Sequence, residues 1–122
     1  MNQAYQLGIQ GEQIAVEYLT LSGVQILETN WRAGNNEVDI IGTENNTLLI
    51  IEVKTRTYDN IAAPYTAVNK TKQNILIRAA NLYIMRNNWQ GETRFDIISI
   101  VIENNKPPRI EHIKDAFYPR IK

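Results

Sequence analysis

Nine residues constrain this chain more than any others: Thr47–Thr55, which read TLLIIEVKT. Successive side chains on a strand point to opposite faces, so Leu48-Leu49-Ile50-Ile51 makes both faces apolar. A strand of that kind belongs inside a sheet with a layer over each face, the usual setting of a parallel strand. The apolar run then stops at Glu52, Val53 and Lys54. Charges are thereby placed at the carboxyl end of a buried strand, where open sheets form their ligand crevices.

The flanking pattern supplies the layers. Leu7, Gly11, Ile14, Ala15, Tyr18 and Leu21 recur at three- and four-residue steps, which predicts a helix over 3–22. Ser22-Gly23 ends it, because glycine accepts the left-handed conformation of a helix terminus. Strand patterns follow over 24–32 and 37–43, separated by the loop Ala33-Gly34-Asn35-Asn36. An irregular connection over 59–67 contains Pro64. A second helix is expected over 69–87, capped by Asn69 and turned inward through Leu76, Ala79, Ala80 and Tyr83. A long strand over 94–103 and a short edge strand over 109–113 complete the order αβββαββ. The strand–helix–strand unit implies a right-handed crossover and a parallel pair within a mixed sheet of four to five strands.

Composition narrows the classes. With 122 residues the chain is expected to be one domain, 1–122, since two separate cores would be too small. It has no cysteine, so disulfides and thiolate metal sites are excluded, and its one histidine excludes a multi-histidine site. No apolar run is long enough to cross a membrane as a helix, and the first residues lack the pattern of a secretory signal. A cytoplasmic location is the resulting expectation. Charge is balanced overall but divided along the chain: residues 1–53 carry a net −6 and residues 54–122 a net +6. Such a division suits an acidic pocket beside a basic surface, although the halves also have the freedom to intermix in space.

The pocket has candidates. Asn45-Asn46 suits a two-residue hairpin turn, whose positive φ angles asparagine tolerates. That register sets Glu44 opposite Thr47, Asp39 opposite Glu52 and Glu37 opposite Lys54. Opposed residues share a sheet face with Cβ atoms about 4.5–5.5 Å apart. Two carboxylates so placed repel and lose hydration, and a hard divalent cation, Mg²⁺ or Mn²⁺, is their natural partner. A neighbouring lysine can polarise a metal-bound water or stabilise charge on a phosphate. The set Asp39, Glu52 and Lys54 therefore fits metal-assisted phosphodiester hydrolysis. The same residues also suit a solvated ion-pair ladder, with Asp39 joined to Arg56.

Gly8-x-x-Gly11-Glu12, Asn30-Trp31-Arg32, Glu37-Val38-Asp39-Ile40-Ile41, Glu52-Val53-Lys54-Thr55-Arg56, Ala67-Val68 with Lys72-Gln73, Arg94-Phe95-Asp96, and His112-Ile113 with Ala116-Phe117 together resemble the YraN-like family of bacterial proteins. That family is placed in the PD-(D/E)XK, or restriction-endonuclease-like, superfamily and compared with Holliday-junction resolvases. The resemblance implies a restriction-endonuclease-like α/β core. It implies that Asp39 and Glu52 are metal-binding acids, that Lys54 is the motif lysine, and that Glu12 is an additional acid near the metal. The Val53 backbone carbonyl is a further implied ligand. Lys72 and Gln73 would approach the site or a phosphate. Val38 stands where the superfamily's name has proline, and Asn36 where the family usually has glycine.

The expected function is metal-dependent endonucleolytic hydrolysis of DNA, with branched or junction DNA among the candidate substrates. Mg²⁺ or Mn²⁺ is the expected cofactor, and a homodimer is the assembly that resolvases suggest. Arg56, Lys70, Lys72 and Gln73 are the candidate nucleic-acid contacts, in a salt-sensitive manner. The competing expectation is a non-catalytic nucleic-acid-binding module on the same scaffold. Asp96, inside an apolar strand, needs a partner, and Arg94 on the same face is expected to supply it. Glu37 is expected to pair with Lys54. Trp31 and Trp89 read as packing residues, and His112 as structural.

Overall fold

The computed structural model describes residues 3–60 and 68–119. Eight elements run in the order α1 (Gln3–Leu21), β1 (Gln25–Ala33), β2 (Asn36–Glu44), β3 (Thr47–Thr57), a single 3₁₀ turn (Tyr58–Asn60), α2 (Lys70–Asn87), β4 (Glu92–Ile102) and β5 (Arg109–Phe117). The strands form one mixed sheet in sequence order. β3 and β4 are parallel, while the other neighbours are antiparallel. This is an α/β sheet flanked by two helices, consistent with a nuclease-like core. Pro64 and Ala67 lie outside the described residues.

Two apolar layers explain why β3 is hydrophobic on both sides. Leu48 and Ile50 pack with Leu76, Ala79, Ala80 and Tyr83 of α2. Leu49 and Ile51 pack with Ala15 and Leu19 of α1, together with Ile98 and Ile100 of β4. The helices thus cover opposite faces, and β3 is the middle strand of five. Trp31 meets the α2 layer, edge-on to Tyr83 at 5.2 Å, with the Arg86 guanidinium over its ring at 5.9 Å.

The termini follow the expected chemistry. At the end of α1, the Val24 N–H donates to the Leu19 carbonyl and Gly23 N–H to that of Thr20, with Gly23 at φ 98°. Asn69 caps α2 by accepting from the Lys72 N–H at 2.8 Å. Asn45 and Asn46 take φ 50° and 63° in the hairpin turn. β5 is longer than its apolar pattern suggested. A kink at Asp115, φ 55°, carries the strand on to Phe117, which stacks on Phe95 at 5.1 Å.

Gly11 sets how closely α1 approaches the sheet. A Cβ built there would lie 1.8 Å from Thr55 Oγ1 and 2.7 Å from its Cβ. Threonine branches at Cβ and has little freedom to withdraw. Gly11→Ala is expected to push α1 off β3 and to cost about 1–3 kcal/mol of overpacking strain. Urea denaturation checks this, and Thr55→Ala in the same chain should restore part of the loss.

Candidate active site

The β2–β3 ladder runs from Glu44↔Thr47 to Ile40↔Ile51 and stops there. Asp39 is the next residue on β2. Its carboxylate replaces the missing ladder bond by accepting the Val53 N–H at 2.8 Å. Val38 belongs to the α2 layer and Ile40 to the α1 layer although they are two residues apart, so β2 is irregular at Asp39. Opposite it on β1, Asn30 has φ 51°. Beyond this point β2 stays with β1 and parts from β3, and the sheet opens a cleft of ≈ 920 Å³. Its lining includes Glu12, Asn30, Arg32, Glu37, Asp39, Val53, Lys54 and Thr55.

The parting corrects one expected pair. Glu37 does not meet Lys54; it is the cross-strand partner of Arg32 and binds its Nε at 2.8 Å. Asp39 was expected to lie opposite Glu52 in the ladder. The regular pairing ends one step short, yet the two carboxyl groups remain close enough for the Asp39 charge to act on Glu52.

Glu52 is the least ordinary group in the cleft region. It is 5% exposed, and its Oε1 is buried with no hydrogen-bond partner among the described residues. Its Oε2 faces two ammonium groups, Lys72 Nζ at 3.6 Å and Lys54 Nζ at 3.9 Å. Burial, followed by the Asp39 charge, pushes the Glu52 carboxyl up to about 7, while the two lysines pull against that rise. A buried carboxylate oxygen without a partner is costly unless a further donor or cation meets it.

Glu12 comes from α1, the helix that Gly11 holds close to the sheet. Asn30 Nδ2 donates to its Oε1 at 2.6 Å. Partial burial and then the Asp39 charge raise its pKa. Among the described residues no group of three or more His, Cys, Asp or Glu side chains is gathered as a cation cage. The fold thus brings Asp39 and Glu52 together as a pair and leaves Glu12 on the cleft wall. The Val53 peptide lies at the same place, its N–H on Asp39. The acid pair suits a hard cation: Oε1 has spare acceptor capacity, and both groups are oxygen donors.

The remaining candidates divide. Lys72 joins the acids from the first turn of α2. Gln73 is engaged locally, its Nε2 donating to the Val68 carbonyl at 3.0 Å. Lys70 is exposed at the helix start, and Arg56 is half-buried on β3 beyond Lys54. Arg86, on the exposed side of α2, lies over Trp31. Two site features escaped the sequence reading: Asn30, which holds Glu12, and the Val53 N–H, which holds Asp39. The first left a faint trace, since asparagine tolerates positive φ inside a strand better than most residues.

A family model described as the uncharacterised protein family UPF0102 matches residues 11–100. The chain belongs to the UPF0102 family. This is the YraN-like group whose motifs the sequence resembles. The UPF0102 protein of Flavobacterium psychrophilum is 44% identical over 112 residues, covering 92% of this chain and 93% of its own. The Bacteroides thetaiotaomicron UPF0102 protein is 43% identical over 119 residues, covering 98% of each. That of Chlorobium chlorochromatii is 40% identical over 122 residues, covering 96% of this chain and 95% of its own. No helix among the described residues is long and apolar enough to cross a membrane.

Proposed function

We propose that this UPF0102 protein is a divalent-metal-dependent phosphodiesterase acting on nucleic acid, most simply a DNA endonuclease. The observation that carries the reading is Glu52: a buried carboxyl beside Asp39, with one oxygen unpartnered and the other facing two lysines. Asp39 and Glu52 would hold Mg²⁺ or Mn²⁺, which when bound supplies Lewis-acid polarisation of a phosphoryl oxygen and an activated water. The Val53 N–H fixes one Asp39 oxygen and orients the other. Lys54, with 40% of its side chain exposed, presents a positive charge where negative charge builds on a phosphate. Lys72 brings a second positive charge from α2, the helix covering that face. Asn30 holds Glu12 toward the cleft, where its carboxylate adds negative potential for a cation.

The test is incubation of purified protein with linear, flapped and four-way DNAs, with Mn²⁺ and with EDTA. Metal-dependent cleavage is expected. Asp39→Asn, Glu52→Gln and Lys54→Met should each lower the rate by at least about a hundredfold, the scale of losing one electrostatic group in a transition state. Undiminished cleavage in all three variants would overturn the assignment. Binding without cleavage under every metal condition would favour the non-catalytic module instead.

A further inference from the structure

Two strand registers extend the candidate site across the α2 side of the sheet. Lys54 aligns with Ser99, and Ser99 with Glu111; Arg56 aligns with Val101, and Val101 with Arg109. Cross-strand partners share a face, so Lys54, Arg56 and Arg109 lie on the same face as Glu52. Arg56 is roughly 13 Å from Glu52 along β3, and Arg109 lies about 10 Å farther across two strand spacings. Neither guanidinium has a carboxylate within ion-pair distance among the described residues, although Glu111 lies one row away. At the end of this stripe the Tyr58 ring, 47% exposed, carries the Arg109 guanidinium 5.5 Å from its centroid.

We propose that Tyr58 and Arg109 form a stacking platform for an unpaired nucleobase, with Arg56 and Lys54 holding the phosphates that lead from it to the acid pair. This rests on the reading that the chain works on nucleic acid and specifies the form it takes: a single-stranded segment entering over the β5 edge. The platform is flat on two counts, an aromatic ring and a planar guanidinium, and both stack on base faces. A duplex hides its base faces and offers only phosphates, whereas a single strand offers both. Two cations in one row without an acid partner repel each other, and a phosphate between them relieves that repulsion. Tyr58 thus contributes only to unpaired strands, while Arg56 and Arg109 contribute to any backbone.

The experiment is fluorescence anisotropy of the full chain in EDTA, with labelled oligothymidylate, oligouridylate and a mixed-sequence duplex. Tyr58→Ala is expected to weaken oligothymidylate binding by at least about fivefold, the low end of one base–aromatic stack, while duplex binding changes by less than about twofold. Tyr58→Phe should retain single-strand affinity. Arg109→Ala should weaken both and reduce the single-strand salt slope by about 0.7. A matching loss on oligouridylate would extend the site to RNA, and its absence would confine it to DNA; both support the platform. For Tyr58→Ala, equal losses on single strand and duplex or no loss on either would overturn it, as would no measurable single-strand binding by the unmodified chain. EDTA removes chemistry from the readout. Tyr58-dependent binding without cleavage anywhere would retain the platform and refute the nuclease, and cleavage without Tyr58-dependent binding would do the reverse.

Discussion

Replacing Asp96 with alanine is expected to cost about 3–5 kcal/mol of folding stability, the scale of breaking a buried ion pair from one side. Asp96 is 1% exposed and accepts four hydrogen bonds. Arg94 donates two at 2.9 Å, His112 Nε2 one at 2.7 Å, and the Asp115 N–H one at 3.0 Å. A His112 ring that donates through Nε2 leaves Nδ1 to accept from the Tyr18 hydroxyl at 3.1 Å, so one carboxylate ties β4, β5 and α1 together. Alanine would strand all of these donors. Asp96→Asn should cost less but still destabilise, because its amide hydrogens would face the Arg94 guanidinium, whose other carboxylate within ion-pair distance among the described residues is Glu44 at 3.7 Å.

The same carboxylate makes the fold acid-sensitive in a definite window. Burial raises the Asp96 pKa, but the bonds from His112, Arg94 and Asp115 outweigh it and hold the group at about 2, below its ordinary 3.8. A depressed pKa stabilises the fold above the unfolded value and loses that contribution as pH falls through the folded one. Wild-type stability should therefore drop by about 2 kcal/mol from this residue alone between roughly pH 4 and pH 2. Urea midpoints across that range test it. Asp96→Asn should lose this component, and an unchanged acid limb in that variant would refute the assignment.

Legibility of the fold in the sequence was uneven, and the reasons are local. The middle strand declared itself because Leu48–Ile51 fill two faces, and only a strand with a helix layer on each side needs that. The hairpin register followed from Asn45-Asn46, since two adjacent positive φ angles fix the pairing. Arg94 beside Asp96 followed from strand periodicity. What periodicity could not reach was the end of the ladder. Simple alternation carried Glu37 to Lys54, but the Asp39 carboxylate takes the Val53 N–H and ends the β2–β3 pairing, returning Glu37 to Arg32. A side chain that substitutes for a ladder bond leaves no mark on hydrophobic spacing. Periodicity likewise did not separate Lys72 from the other basic residues of α2; the family resemblance did, implying that it approaches the site, and it meets Glu52 at 3.6 Å. Which turn of a helix overhangs which strand depends on the crossover, and residues 61–67 carry no periodic signal.

Glu52→Gln is expected to make the metal-free protein more stable near pH 8 while abolishing cleavage. The sign follows from the direction of the shift. Burial, with the Asp39 charge behind it, raises the Glu52 carboxyl from its ordinary 4.5 to about 7. A group whose folded pKa is raised stabilises the fold fully below the unfolded value, and that contribution is lost as pH rises through the folded one. Metal-free wild type should thus lose up to about 3 kcal/mol between roughly pH 4.5 and pH 7.5, a window above the one that Asp96 controls. Glutamine stays neutral throughout, so its stability should be flat there: close to wild type near pH 4.5 and higher near pH 8. Mg²⁺ or Mn²⁺ should raise the wild-type melting temperature at the upper end, because a ligand that binds only the folded state stabilises it. The variant should show little of that rise. Thermal melts of both proteins across the range, with and without metal, decide the matter. A flat wild-type profile, or a variant that follows the wild-type slope, would mean that Glu52 is not the buried, under-partnered acid on which a cation site depends. If the profile holds, the residue that weakens the fold at neutral pH is also the one that the proposed chemistry requires, a cost that stability alone gives no reason to keep.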